Sequence, residues 1–162
     1  MALLEKHLEV KPSTIPGAGN GLFTKVAIEK GTRIVEYKGR ITTWKEVEWD
    51  SDNKYIYTIN PKHVIDAQRT LKALARYAND AKGLTKVKGL NNNCVYVNDG
   101  LRAYIESVKP IPAGAEILVA YGKDYWDVIR QNIKNELKAA KEKTSPKKEK
   151  AIANKKVTRK RA

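Results

Sequence analysis

The sequence predicts a mainly β domain, followed by one C-terminal helix and a disordered basic tail, and three observations carry that expectation. Glycine and proline punctuate residues 17–122 every ten to twenty positions, with short β-rich runs between them. Trp126, Ile129, Ile133 and Leu137 then form an apolar stripe at helical spacing. From about Lys141 onward, almost no apolar residue remains to offset the entropy of ordering the chain.

In chain order, strands are expected at residues 22–26, 33–37, 54–59, 94–97, 101–108 and 116–121. The clearest alternation sets Leu101, Ala103 and Ile105 against Arg102, Tyr104 and Glu106, a period of two that fits a half-buried strand. Pro110 and Pro112 close it. A short helix is expected where Leu71, Leu74, Ala75 and Ala78 fall at i, i+3, i+4 and i+7, leading straight into Asn79-Asp80. The last helix should start near Asp124. Together these readings divide the chain into a main domain over 1–127, a helix over 128–141 and a disordered lysine-rich tail over 142–162. No internal repeat is present, which argues against a solenoid.

Composition narrows the function classes. The 162 residues, 41% of them apolar, suit one domain with a core and a short appendage. The formal net charge is +14, and residues 131–162 hold twelve Lys/Arg against three Glu. Such a tail favours polyanionic partners, nucleic acid above all, through counterion release. No run of eighteen apolar residues occurs and the start lacks a secretory apolar core, so a soluble intracellular protein without membrane association is expected. The single cysteine, Cys94, excludes an intrachain disulfide and a multi-cysteine zinc site. No structural metal is expected, and His7 and His63 offer no ligand spacing for metal-assisted hydrolysis. No histidine accompanies Cys94 in a recognisable motif, so a buried small side chain suits it better than a nucleophile.

Two glycine elements are weak signals alone. Pro16-Gly17-Ala18-Gly19-Asn20-Gly21-Leu22-Phe23 opens a strand, and glycines there let backbone amides approach a ligand. It is not a phosphate loop, because no helix follows it. Tyr37-Lys38-Gly39 by itself is a strand end and turn. Order changes the reading. Gly19-Asn20-Gly21-Leu22-Phe23, Tyr37-Lys38-Gly39, Val64-Ile65-Asp66-Ala67, Arg76-Tyr77-Ala78-Asn79, Asn93-Cys94 and Gly114-Ala115-Glu116-Ile117-Leu118-Val119-Ala120-Tyr121-Gly122 follow one another. This succession, over roughly residues 5–127, resembles the SET-domain lysine methyltransferases.

The resemblance implies a SET-type β-clip: small sheets around a knot-like threaded segment, here 76–94, with the strand ending in Tyr121 beside it. It also implies S-adenosylmethionine as cofactor, entering a narrow channel from the face opposite the substrate. By similarity, the backbone at Ala18, Gly19, Asn20 and Gly21 would bind the methionine part, and Asn79 would contribute side chain and backbone. Asp80 stands where the family usually has histidine, and would act toward the adenine through its main chain. The insertion over 81–92 carries Lys82, Lys86 and Lys88 and no acid, and reads either as a surface loop or as one touching substrate or nucleic acid. No cysteine follows Trp126, so the zinc-bearing segment of many relatives is missing and the Trp126 helix is expected to close the channel. Trp126 itself either stacks near the adenine or is the first core residue of its helix.

Tyr121 matches the family's catalytic tyrosine, and Tyr37 and Tyr96 resemble two further channel tyrosines; for Tyr96 a strand-packing role is the alternative. If both aim hydroxyls at the amine, monomethylation is favoured. Val119 stands where relatives often place Phe or Tyr. Tyr55, Tyr57, Tyr77, Tyr104 and Tyr125 read as core or surface aromatics. Neutralising a lysine amine of pKa about 10.4 at pH 7 costs about 4 to 5 kcal/mol, which a dehydrated channel beside a sulfonium helps to offset.

The partner implied is a lysine-containing protein, with a histone or histone-like protein among the candidates, and nucleic acid is a candidate ligand of the tail; the oligomeric state is open. Two alternatives stand beside the enzyme: a catalytically inactive SET-like binding module, and a basic nucleic-acid-binding protein dominated by its tail. The tail lysines read as a localising element, as self-methylation targets or as solubilising charge. In a eukaryotic or viral setting Lys155-Lys156-Val157-Thr158-Arg159-Lys160-Arg161 suggests nuclear import, whereas in a bacterium the compartment would be cytoplasm or nucleoid.

Overall fold

Three small antiparallel sheets build the first of two units into which the chain divides between Tyr121 and Gly122. The computed structural model describes residues 2–50 and 52–144. The first sheet orders β1 (Leu8–Pro12), β2 (Asn20–Thr24) and β9 (Glu116–Ile117) as β1-β2-β9. In the second, β3 (Arg33–Glu36) and β7 (Cys94–Asp99) flank β8 (Arg102–Ser107). In the third, β6 (His63–Asp66) lies between β4 (Arg40–Thr42) and β5 (Ile56–Asn60). Helix α1 (Trp44–Val47) is a single turn after β4.

All three sheets contribute to one core. Leu22 from β2, Ile34 from β3, Ile65 from β6, Ile105 from β8 and Ile117 from β9 meet in it, each at most 3% exposed. Full burial of an aliphatic side chain of this size contributes about 1.5 to 3 kcal/mol, so short strands are held chiefly by this convergence. The mainly β architecture expected from the glycine and proline spacing is the one observed.

The expected threading is also present. Beyond β9 the chain continues as single parallel bridges, Leu118 to Asn79 on one side and Val119 to Cys94 on the other. Val119 N–H donates to the Asn79 carbonyl at 2.8 Å, while the Leu118 carbonyl accepts from Asn93 and Cys94 N–H at 2.9 and 3.0 Å. Residues 118–121 thus run between two stretches of the 76–94 segment, and the strand expected over 116–121 is shortened to Glu116–Ile117.

The expected helix near Leu71 shrinks to one 3-10 turn, Leu74–Tyr77. Its flanks Ala73 and Ala78 are extended, and Leu71 is 65% exposed. The reason is Arg76. Its Nε donates to the Ala67 carbonyl at 3.0 Å and its guanidinium lies 4.1 Å from the Tyr55 ring and 4.9 Å from the Tyr77 ring. Those bonds hold the turn against the β6 exit, and the leucine/alanine spacing is satisfied by Leu74, Ala75 and Ala78 packing into the main core. The alternation expected in β8 is also modified. Leu101 lies in the turn and is exposed, and Tyr104 is buried with Ala103 and Ile105 beneath the Arg33 guanidinium, 4.4 Å from its ring.

The second unit carries helix α2 (Lys123–Thr144), which starts beside Asp124 as expected and runs on past residue 141, and none of its side chains is buried. Lys123 and Arg130 both pair with Asp127 on its surface. The remaining tail, for which disorder was expected, lies outside the described residues from 145 onward. Among the described residues no helix is long and apolar enough to cross a membrane.

Candidate functional site

Two loops and a threaded strand build the site in the first unit. The glycine-rich turn before β2 is shaped by local bonds: Ser13 N–H donates to the Gly19 carbonyl at 2.9 Å and Ala18 N–H to the Ile15 carbonyl at 3.2 Å. Gly19 has φ +71°, a conformation other residues adopt only with strain, and the space where its Cβ would lie is open. Ala18, Gly19 and Asn20 are therefore presented at an accessible backbone surface.

Glu116 holds that turn in place from below. Its carboxylate, on a residue 5% exposed, accepts from Ser13 Oγ at 2.7 Å, Thr14 N–H at 2.9 Å and the Thr14 hydroxyl. It also lies 3.4 Å from Asn79 Nδ2. Gly21 makes the arrangement possible, because a Cβ there would come within 2.2 Å of Glu116 Oε1. Asn79 joins the same group, its Nδ2 donating to the Asn20 carbonyl at 3.0 Å. Asn93 does equivalent work deeper in, donating through Nδ2 to the Glu116 carbonyl and accepting Leu118 N–H, both at 2.9 Å.

Beyond Asn79 the chain meets the tyrosines. Tyr121, at the end of the threaded stretch, donates its hydroxyl to the Ala78 carbonyl, and its N–H donates to Asp80 Oδ2 at 3.0 Å. Its ring stacks on Tyr96 with centroids 6.3 Å apart and planes 23° apart. Tyr96 in turn meets Tyr37 edge-on at 5.9 Å and Tyr57 at 4.9 Å, and Tyr37 lies 5.7 Å from Tyr57. The three tyrosines singled out in the sequence are thus one cluster. Tyr37 is buried and donates its hydroxyl to the Tyr55 carbonyl at 3.0 Å.

Tyr57 is a fourth member that sequence reasoning left among the bland aromatics. It sits on β5, donates its hydroxyl to Asn98 Oδ1 at 2.7 Å, and burial raises its phenol above the ordinary 10.0. Tyr55, just before β5, alternates with Tyr57 and Ile59 within it, a signal that would have put Tyr57 on an inward face; only the folded arrangement shows which tyrosines it meets. Burial also pushes the Cys94 thiol up to about 12, which leaves it protonated and a poor nucleophile at neutral pH.

Asp80 is 7% exposed, with its carboxylate directed at protein donors. Trp126 lies in the second unit, edge-to-face with Tyr125 at 5.1 Å and 88°.

Comparison with known proteins gives three findings. A family model described as SET domain matches residues 19–122, more than half of the chain. The histone-lysine N-methyltransferase EZH2 of Chaetomium thermophilum is 25% identical over 94% of this chain. This chain spans only 11% of that relative's length. Among solved structures, the methyltransferase domain of human PR domain-containing protein 2 superposes with a TM-score of 0.55 at 24% identity, covering 72% of this chain and 78% of that one. This last likeness is one of fold.

Proposed function

Because the chain belongs to the SET-domain family, we propose that it transfers a methyl group from S-adenosylmethionine to the side-chain amine of lysine in a protein substrate. One observation carries the reading. Residues 78 and 79 are tied to both halves of the site at once, Asn79 Nδ2 to the glycine turn at Asn20 and the Ala78 carbonyl to the Tyr121 hydroxyl. A donor lying along the turn and an amine among the tyrosines would share that junction.

The residues present fit such a donor. The space over Gly19 is open, the Glu116 carboxylate accepts from the turn's own donors, and four tyrosine rings offer electron-rich faces to a cation without fixed charge. When bound, S-adenosylmethionine supplies a methyl group activated by a sulfonium. The backbone at Ala18, Gly19, Asn20 and Gly21 would hold its methionine part, Asn79 and the Asp80 main chain would hold it further along, and Trp126 is the sequence-based candidate for the adenine. On the other side, the cluster of Tyr37, Tyr57, Tyr96 and Tyr121 would exclude water around the incoming lysine, favouring its neutral amine. The Tyr121 oxygen would orient that amine, and Tyr37 and Tyr96 would line its path. Tyr37 spends its hydroxyl proton on the Tyr55 carbonyl, which supports a lining role over direct donation to the amine.

The substrate we propose is a basic protein, in keeping with the likeness to the histone-lysine N-methyltransferase of Chaetomium thermophilum. The main domain over 1–127 would carry the chemistry and the basic tail over 142–162 would keep the enzyme near nucleic acid or basic proteins. The test is transfer of labelled methyl from S-adenosylmethionine to histone or another lysine-rich protein by the full chain. Tyr121→Phe is expected to lower kcat about a hundredfold or more with an unchanged melting curve. Absence of both donor binding and transfer in the wild-type chain would overturn the proposal and favour a binding module.

A further inference from the structure

Asp80 occupies a position between the strand that ends in Tyr121 and the inserted loop, and its carboxylate accepts hydrogen bonds from both. Oδ2 accepts Tyr121 N–H at 3.0 Å. Oδ1 accepts Lys82 N–H at 2.8 Å and Asn92 Nδ2 at 2.7 Å. Asn92 then accepts Ala81 N–H through Oδ1 at 2.8 Å, which determines which end of its amide faces the carboxylate. The two roots of the 81–92 loop are therefore closed on each other and on the backbone of Tyr121. Bonds to an ionised acceptor are roughly twice as strong as neutral ones, and this one is buried. Tyr121 is held at both ends: its hydroxyl by the residue 78 carbonyl, its amide by residue 80.

We infer that Asp80 is the positioning residue for Tyr121, acting through the Tyr121 amide, and that Asn92 couples the 81–92 loop to the same tyrosine. The inference rests on the methyl-transfer reading above, and it explains the presence of an acid at this position by its protein donors. An asparagine at 80 has one acceptor where the site presents donors on both sides. If its oxygen faces Tyr121, its amide meets both Lys82 N–H and the Asn92 amide; if its oxygen faces the loop, its amide meets Tyr121 N–H. A donor-donor conflict remains in every arrangement. Asn92→Ala, by contrast, takes one donor from the loop side and leaves the carboxylate its Lys82 and Tyr121 amides.

The experiment compares full-length wild type, Asp80→Asn and Asn92→Ala. Steady-state kinetics are followed with S-adenosylmethionine and a lysine-rich protein, and the Tyr121 amide proton is followed by NMR. Asp80→Asn is expected to lower kcat about tenfold to a hundredfold while KM for S-adenosylmethionine changes far less. Its Tyr121 amide proton is expected to move upfield, and Asn92→Ala to change both readouts in the same direction but less. An unchanged kcat or amide shift in Asp80→Asn, or an unchanged Tyr121 amide shift in Asn92→Ala, would overturn the inference. Should Asp80→Asn fail to fold, Asn92→Ala decides alone: a moved Tyr121 amide with a lowered kcat supports the coupling, and wild-type values of both overturn it. If wild type itself neither binds donor nor transfers methyl, the functional reading fails, and the amide shifts still judge the positioning.

Discussion

Glu116 and Asp80 are both nearly buried carboxylates at the site, yet they organise opposite halves of it. Glu116 collects donors from Ser13 and Thr14, more than a hundred positions away in the chain, together with Asn79. Asp80 collects Lys82 and Asn92 from its own loop, and Tyr121. The first therefore sets where the glycine turn lies relative to the threaded strand, and the second sets the tyrosine relative to the insertion. Same chemistry, different reach: the glycine-turn half depends on closure between distant segments, while the tyrosine half draws two of its donors from the adjoining loop.

The largest expected departure comes from Glu116→Ala. It leaves the Ser13, Thr14 and Asn79 donors without their acceptor, at a cost of about 3 kcal/mol in stability. Calorimetry should find donor binding lost, and a melt should find the fold weakened. Intact donor affinity would break the comparison, because the turn would then hold its shape unaided. A smaller effect is expected for Gly21→Ala, whose methyl group would push the Glu116 carboxylate aside. Overpacking of this kind costs about 1 to 3 kcal/mol, and KM for S-adenosylmethionine should rise while the Tyr121 amide shift stays put. Movement of that shift would mean the two halves are not separable.

Asp66, away from both, sharpens the contrast. Burial works to raise its carboxyl, but hydrogen bonds from Asn53, the Gln68 N–H and Arg40 outweigh it, and its pKa is lowered below the ordinary 3.8. A depressed carboxylate adds stability above its unfolded pKa and loses it as pH falls through the folded one. An acid melt should accordingly show Asp66→Asn to be the less stable protein at neutral pH, with the gap to wild type closing below about pH 4. A gap independent of pH would show that packing, not charge, matters there.

How much of this was readable in the chain follows the same division of reach. The runs that became β2, β3, β7 and β8 were visible because their apolar residues sit close together between turn signals. The strands β1, β4 and β6 were not, since Leu8–Pro12, Arg40–Thr42 and His63–Asp66 are short, carry few apolar residues each and owe their pairing to partner strands. Leu71 to Ala78 read as a helix because local spacing cannot register the Arg76 bonds to Ala67 and Gln68. At the site, Tyr37, Tyr96 and Tyr121 were picked from a resemblance in motif order, and the structure brings them into one cluster. Tyr57 was missed because its meaning depends on which strand β5 faces. The Glu116 role was equally hidden: nothing near Gly114-Ala115-Glu116 in the chain hints at Ser13 and Thr14.

The passage of residues 118–121 between Asn79 and Cys94 bears on how the molecule is assembled during synthesis. Both flanking stretches leave the ribosome before the piece that must lie between them, so neither can settle into its final pairing until that piece arrives. A chain interrupted ahead of residue 116 would have no way to keep a half-finished site, since the turn and the tyrosine alike wait on the same late insertion. Activity should then emerge in one step during refolding, and never ahead of the burial of Leu118 and Val119.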